Sequence, residues 1–183
     1  MASATSKCNL LKVLEANRMK RTFQALTLAA ALTVFGPTAR AQYYDNYEKG
    51  LAAYNSDDYA TALEELRPLA EDGVPVPQYY LALMYDFGNG VAENDAVAVK
   101  WYRLAAEQGY AEAQHNLGVM YDDGDGVIEN DIFAYMWWNI AASLGIEDAK
   151  KNRDKVADEM TREEIAKAQA LAAECVTKNY KGC

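Results

Sequence analysis

From Ala62 to Cys175 the apolar positions return every three or four residues, the spacing that gives a helix a single buried stripe. Ala62, Leu63, Leu66, Leu69 and Ala70 make one stripe, and Tyr80, Leu81, Met84 and Tyr85 the next. Ala98, Trp101, Tyr102, Ala105 and Ala106 follow, then Ala113, Leu117, Met120 and Tyr121, then Ala134, Trp137, Ala141 and Ala142. Ile165, Ala168, Leu171, Ala172 and Cys175 close the series. Each stripe predicts a helix packed along one side, with breaks at Gly88-Asn89-Gly90, Gly109, Gly124-Asp125-Gly126 and Gly145. Pro77 is compatible only with a first helical turn, so its helix should begin nearby and run to Phe87. Asp95 is placed to N-cap the helix after it, Val91 to fold inward as a plug, and Trp101 to fill the space between helices. Gly118 should let a paired helix come close.

The stripes belong to a unit of 36 residues written twice without a gap. Met84-Tyr85 falls on Met120-Tyr121, Gly88 and Gly90 on Gly124 and Gly126, Glu93-Asn94-Asp95 on Glu129-Asn130-Asp131, Trp101 on Trp137, and Gly109 on Gly145. A fixed period of roughly 20 to 50 residues marks a stacked-repeat architecture, each unit burying its apolar side only against its neighbours. The expected division is a divergent first repeat at 42–74, a second at 75–110, a third at 111–146, and capping helices with a tail at 147–183. The first unit keeps the pattern but has a connecting loop about five residues shorter, made by Asn55-Ser56-Asp57-Asp58. A charged helix over Asp148 to Asp158 should end the stack. Thr161-Arg162-Glu163-Glu164 then reads as a capping box, with Met160 and Ile165 as its hydrophobic staple, starting a last helix that folds back over the final repeat.

The first 41 residues read differently. Met19-Lys20-Arg21 is a positive n-region, Phe23 to Phe35 a mostly apolar run of 13 residues, and Ala39-Arg40-Ala41 an A-x-A cleavage site before Gln42. That is the layout of a cleavable signal peptide, with translation starting at Met19, and it predicts a periplasmic or secreted product. An amphipathic structural helix is the competing reading of this segment. The apolar run falls short of the about 20 residues of a spanning helix, and no cysteine follows the cleavage site, so no membrane insertion is expected after cleavage. The leader holds six of the 18 basic and one of the 27 acidic side chains, which leaves 12 against 26 in the remainder, a net of −14. Such a surface repels phosphate backbones and anionic lipids, which argues against nucleic acid and for a neutral or basic partner. The same charge could serve solubility alone.

Without Cys8 the chain keeps an even pair, Cys175 and Cys183, with seven residues between them. In an oxidising compartment a disulfide is expected. Two free thiols and a metal site are the competing readings; a metal would need further ligands, and the single histidine, His115, lies in a distant repeat.

The pattern Ala-x-x-x-Leu-Gly-x-x-Tyr-x-x-Gly-x-Gly-Val from Ala113 to Val127, continued by Asp131, Ala134, Trp137, Ala141-Ala142 and Gly145, resembles the Sel-one-like repeat proteins, relatives of the tetratricopeptide repeats. Ala82 stands where that unit usually has glycine. The resemblance implies an all-α fold: a right-handed α-solenoid of about three antiparallel helix pairs with a C-terminal capping helix pair. It also implies an adaptor that binds protein or peptide without catalysis or cofactor. In such a stack the first helix of each unit lines the concave side. Transferring that register nominates Tyr44, Tyr47, Leu51 and Tyr54, then Tyr79, Leu83, Asp86 and Phe87, then Glu112, His115, Val119, Asp122 and Asp123. Polar-tipped aromatics beside carboxylates suit a peptide with apolar anchors and a basic residue. About half of these tyrosines are expected to pack between helices instead.

Other chemistry finds little support. Asp122-Asp123-Gly124-Asp125-Gly126 suggests calcium, but an EF-hand with Gly126 or Gly124 sixth would put Tyr121 or Val119 first, so neither register supplies the ligands. Ser-x-x-Lys, Gly-x-Ser-x-Gly and His-Glu-x-x-His are all missing after residue 41. An envelope hydrolase or penicillin-binding activity, as linked to some cysteine-rich relatives, is the second reading, and a structural spacer the third.

Overall fold

The computed structural model describes residues 37–183, with side chains from residue 42; the expected leader lies outside the described residues up to position 36. Among the described residues, those up to Tyr44 fall in one unit and Asp45–Cys183 in another. Eight helices are described: α1 Pro37–Asn55, α2 Tyr59–Glu71, α3 Pro75–Asp86, α4 Asp95–Ala106, α5 Ala111–Asp123, α6 Asp131–Ser143, α7 Glu147–Ala157 and α8 Arg162–Thr177. There is no strand among the described residues, and none of these helices is long and apolar enough to cross a membrane. In the unit from Asp45 onward α2 packs on α3, α3 on α4, α4 on α5 and α5 on α6, the neighbour-only order of a helical solenoid. At the end α7 and α8 both lie on α6.

Within a pair, the approach of the two helices is set by a small residue facing a large one. A Cβ on Gly118 of α5 would lie 2.6 Å from the indole of Trp138 on α6. One period earlier the counterparts are Ala82 and Tyr102, both fully buried. One period earlier again the large position is Leu66, and a Cβ on Gly50 would meet its Cδ2 at 2.6 Å. That contact puts Gly50 opposite α2 as Gly118 is opposite α6, which fixes the register of α1. The Trp138 Nε1–H also donates to the His115 carbonyl at 3.1 Å, tying α6 to α5.

Between repeats, two other contacts recur. Gln78 on α3 donates to the Ala70 carbonyl at the end of α2 (3.0 Å), and Gln114 on α5 donates to the Ala106 carbonyl at the end of α4 (3.1 Å). Both glutamines are buried, and each adds a second bond to a carbonyl that also accepts the N–H of the turn glycine, Gly73 at 3.0 Å or Gly109 at 2.9 Å. Second, the later glycine of each loop lies on the first turn of the preceding repeat's second helix. A Cβ on Gly90 would fall 2.7 Å from Tyr59 Cβ, and one on Gly126, at φ +68°, would fall 2.4 Å from the Asp95 carbonyl carbon.

The caps differ from expectation at one point. Asn94, not Asp95, caps α4: its backbone is extended, and its side chain accepts from the Val97 N–H at 3.0 Å. Asn130 does the same for Phe133 at the start of α6. The cap must lie just outside the helix, so Asp95 becomes the first helical residue, where its charge meets the positive end of the dipole. Each stripe has a buried centre, but Leu63, Tyr80, Tyr85, Trp101, Ala142, Ile165 and Leu171 stay half-buried, and it is Tyr102 beside Trp101 that is enclosed. Thr161 and Glu164 form the expected capping box, and Met160 and Ile165 pack against the core. The Cys175–Cys183 disulfide is present, with Cα atoms 5.6 Å apart.

The pairing of Gly118 with Trp138 gives a test. Gly118→Ala overfills the crossing and should cost about 1–3 kcal/mol in urea unfolding. Gly118→Ala combined with Trp138→Tyr, which copies the second repeat, should recover more than half of that loss; an additive result would refute the pairing.

Candidate peptide-binding face

The nominated residues recur at three- and four-residue spacing along the first helix of each repeat, so on each helix they share one side. Tyr47, Leu51 and Tyr54 lie on α1, Tyr79, Leu83 and Asp86 on α3 with Phe87 as its C-cap, and Glu112, His115, Val119, Asp122 and Asp123 on α5. Most are half-buried; Phe87 is 63% exposed and Asp123 exposed. Tyr44 belongs to the other unit, where its ring meets Tyr43 edge-on at 6.3 Å.

On α1 and α3 the aromatic positions form a row. Tyr54 meets Tyr59 at 5.6 Å and Tyr80 at 4.7 Å between ring centres. Tyr80 meets Tyr79 at 5.5 Å, and Tyr79 meets Tyr110 at 5.1 Å and Tyr102 at 6.0 Å. The rings sit edge-on or tilted, the arrangement in which each contact contributes about 0.5–1.5 kcal/mol beyond area burial. Burial, reinforced by the Glu112 carboxylate, pushes the Tyr79 hydroxyl up to about 12. Burial likewise raises Tyr102 and Tyr110, so these hydroxyls remain protonated donors at any physiological pH. Tyr80, Tyr110 and Asn116 were not nominated. Tyr80 reads as core from its stripe, and Tyr110 occupies the position held by Val74 and Ile146, which carries no polar signal. Asn116 Nδ2 donates to Tyr102 Oη at 3.0 Å, and Tyr102 Oη donates to Asp86 Oδ2 at 2.8 Å.

Carboxylates collect at the C-terminal ends of α3 and α5. Asp86 is pushed above its ordinary value of 3.8 by burial, against the lowering bond from Tyr102, with Asp95, Asp125 and Glu93 adding to the rise. Asp122 is raised by burial and then by Asp123. In the third repeat Trp138 replaces the tyrosine that serves Asp86. Acidic groups in a last turn face the negative end of the helix dipole, and neither α3 nor α5 carries a basic residue there. His115 is lowered by burial, opposed by Asp148, and its Nε2 lies 3.2 Å from Asn152 Nδ2 on α7. It therefore joins α5 to the cap. The glycines of the acidic loop are accounted for by the fold: Gly124 ends α5 in the left-handed region and the Asn130 N–H returns to the Tyr121 carbonyl at 2.8 Å. Among the described residues no cluster of three or more histidine, cysteine or acidic side chains is arranged to hold a metal.

The Sel1 repeat family model matches residues 78–110 and 111–146. A crystal structure of c5321, described as a protective antigen present in uropathogenic Escherichia coli strains displaying an SLR fold, superposes with a TM-score of 0.72 at 25% identity, over 78% of this chain and 32% of that one. The chain thus spans about a third of c5321. The crystal structure of a Sel1 repeat protein from Oxalobacter formigenes gives a TM-score of 0.56 at 33% identity, over 62% of this chain and 88% of that one. No curated protein sequence matches the chain.

The raised carboxylates predict a pH dependence. A folded pKa above 3.8 means that the stabilising share of Asp86 and Asp122 is complete below about pH 4 and lost as pH rises through the raised values. At pH 7 both are ionised at a cost. Asp86→Asn with Asp122→Asn should therefore raise the melting temperature by a few degrees at pH 7 and by less at pH 4. A lower melting temperature at pH 7 would overturn the reading.

Proposed function

The chain belongs to the Sel1-like repeat proteins, and from that premise we propose that it is a non-catalytic adaptor of the cell envelope whose first-helix face binds a protein or peptide. Sel1 repeats generally mediate protein–protein interaction, and proteins of this fold are generally not enzymes. The observation that carries the finer reading is the run of half-buried tyrosines ending in carboxylates that lie against helix dipoles. Such groups lower the stability of the free protein, and a cation on a partner would relieve them. The ring edges and hydroxyls offer apolar contact with a polar rim, the composition that supplies binding hot spots.

The partner is therefore a segment with apolar anchors and at least one Lys or Arg. Residues Tyr47, Leu51, Tyr54, Tyr79 and Leu83 take the anchors, and Asp86, Asp122 and Asp123 take the charge, with Phe87, Glu112, His115 and Val119 completing the face. Placement in the envelope is supported by the leader pattern, by the Cys175–Cys183 bond and by the antigen character of the E. coli neighbour.

Site-specific photo-crosslinking in the native cells tests this. A photo-reactive phenylalanine at position 87 should yield a discrete crosslinked protein in the envelope fraction, and one at the exposed loop residue Ile128 should not. Asp86→Asn with Asp122→Asn should weaken that product several-fold while the protein remains folded. No product at positions 87, 83 and 51 alike would refute the binding face, and product confined to the cytoplasmic fraction would refute the placement.

A further inference from the structure

Three turns join consecutive repeats or the last repeat to the cap, and each contains a glycine at the same place in the period: Gly73, Gly109 and Gly145. Among the described residues nothing lies within 4 Å of a Cβ built on Gly73 or Gly145. On Gly109 the same atom would meet the ring of Tyr180, with Cε2 at 3.0 Å and Cδ2 at 3.3 Å. One turn of three is thus covered, and the cover comes from the end of the chain.

What holds it there is the loop closed by Cys175 and Cys183. Cys175 is buried on α8, while Tyr180 and Cys183 pack half-buried against the main core. Inside the loop Asn179 and Tyr180 both adopt the left-handed backbone, at φ 51° and 65°, although neither is glycine. The Tyr180 N–H donates to the Cys175 carbonyl at 2.8 Å, so the bend that aims the ring begins at the cysteine itself. Two successive left-handed residues are unfavourable unless something external holds them. The loop's other bonds are local to the end of α8: Lys178 N–H to the Glu174 and Cys175 carbonyls at 3.1 and 3.2 Å, Asn179 N–H to the Val176 carbonyl at 3.1 Å, Lys181 N–H to the Lys178 carbonyl at 3.3 Å, and Lys178 paired with Glu174 on the exposed surface. Such surface pairs hold weakly.

We propose that the Cys175–Cys183 bond is a redox-dependent latch that holds Tyr180 on the Gly109 turn. Reduction by a dithiol breaks the Sγ–Sγ bond; two electrons and two protons yield two thiols, and the reductant closes to its own disulfide. The tail then relaxes out of the left-handed conformation, and the Gly109 turn becomes as open as those at Gly73 and Gly145. The turn leads straight into Tyr110, whose ring meets Tyr79, so the state of the disulfide reaches the tyrosine row through one peptide bond. The latch itself does not depend on what that row binds.

Hydrogen exchange on the full chain, with and without dithiothreitol, tests the latch. Reduction should speed exchange at the Gly109, Tyr110 and Tyr180 amides at least tenfold and leave the Gly73 and Gly145 turns unchanged. Cys183→Ser should reproduce this without reductant. Tyr180→Ala, with the disulfide intact, should speed exchange at Gly109 and Tyr110 alone. Unchanged exchange at Gly109 and Tyr110 after reduction would overturn the proposal, and so would an equal rise at all three turns.

Discussion

The constraint on which the structure depends is steric: at the crossing of each helix pair one partner must be nearly bare. Gly50 faces Leu66 and Gly118 faces Trp138, and Ala82 with Tyr102 holds the corresponding place between them. Glycine occurs opposite the indole and alanine at the place of the phenol, while glycine recurs opposite the smaller Leu66, so it is the closeness of each crossing as well as the size of the large residue that sets what its neighbour can carry. Because interiors pack to near-crystalline density, that crossing fixes the position of both helices, and with them everything they present.

A second set of contacts makes hairpins into a stack. Gln78 and Gln114 reach back to the final carbonyls of the preceding hairpin, and Gly90 and Gly126 lie on its second helix. The two glutamines are not equally served. Gln108 donates to Gln78 Oε1 at 2.8 Å, whereas Gln114 Oε1 has no partner among the described residues, since Leu144 stands at the place of Gln108. The last repeat therefore departs from the pattern where it meets the cap, and apolar packing of α7 and α8 on α6 takes over.

The helices, their order, the capping box and the cysteine pair were legible because each rests on a local rule: a 3.6-residue period, a four-residue cap, an even count. Details that depend on a neighbour one residue away were less so. Asn94 and Asp95 are both good caps, and only the backbone conformation chooses between them. Trp101 and Tyr102 both fit the stripe, and the enclosed one is decided by the helix across the crossing. The buried glutamines look like surface residues in sequence, since an amide is polar whether or not a carbonyl awaits it. At the candidate face, the side occupied by the tyrosines followed from the repeat register. Their edge-on row, and the inclusion of Tyr80 and Tyr110, depends on ring orientations that no spacing encodes.

The recurrence of the glutamine and glycine junctions sets the grain in which this molecule can change length. A unit of 36 residues inserted at a turn would meet, at both new seams, the same donor, the same carbonyl and the same bare backbone that it left. An insertion of any other size would bring a wrong side chain to each seam. Growth by whole modules is thus chemically silent at the joints, and the reach of the surface can lengthen without any element being redesigned.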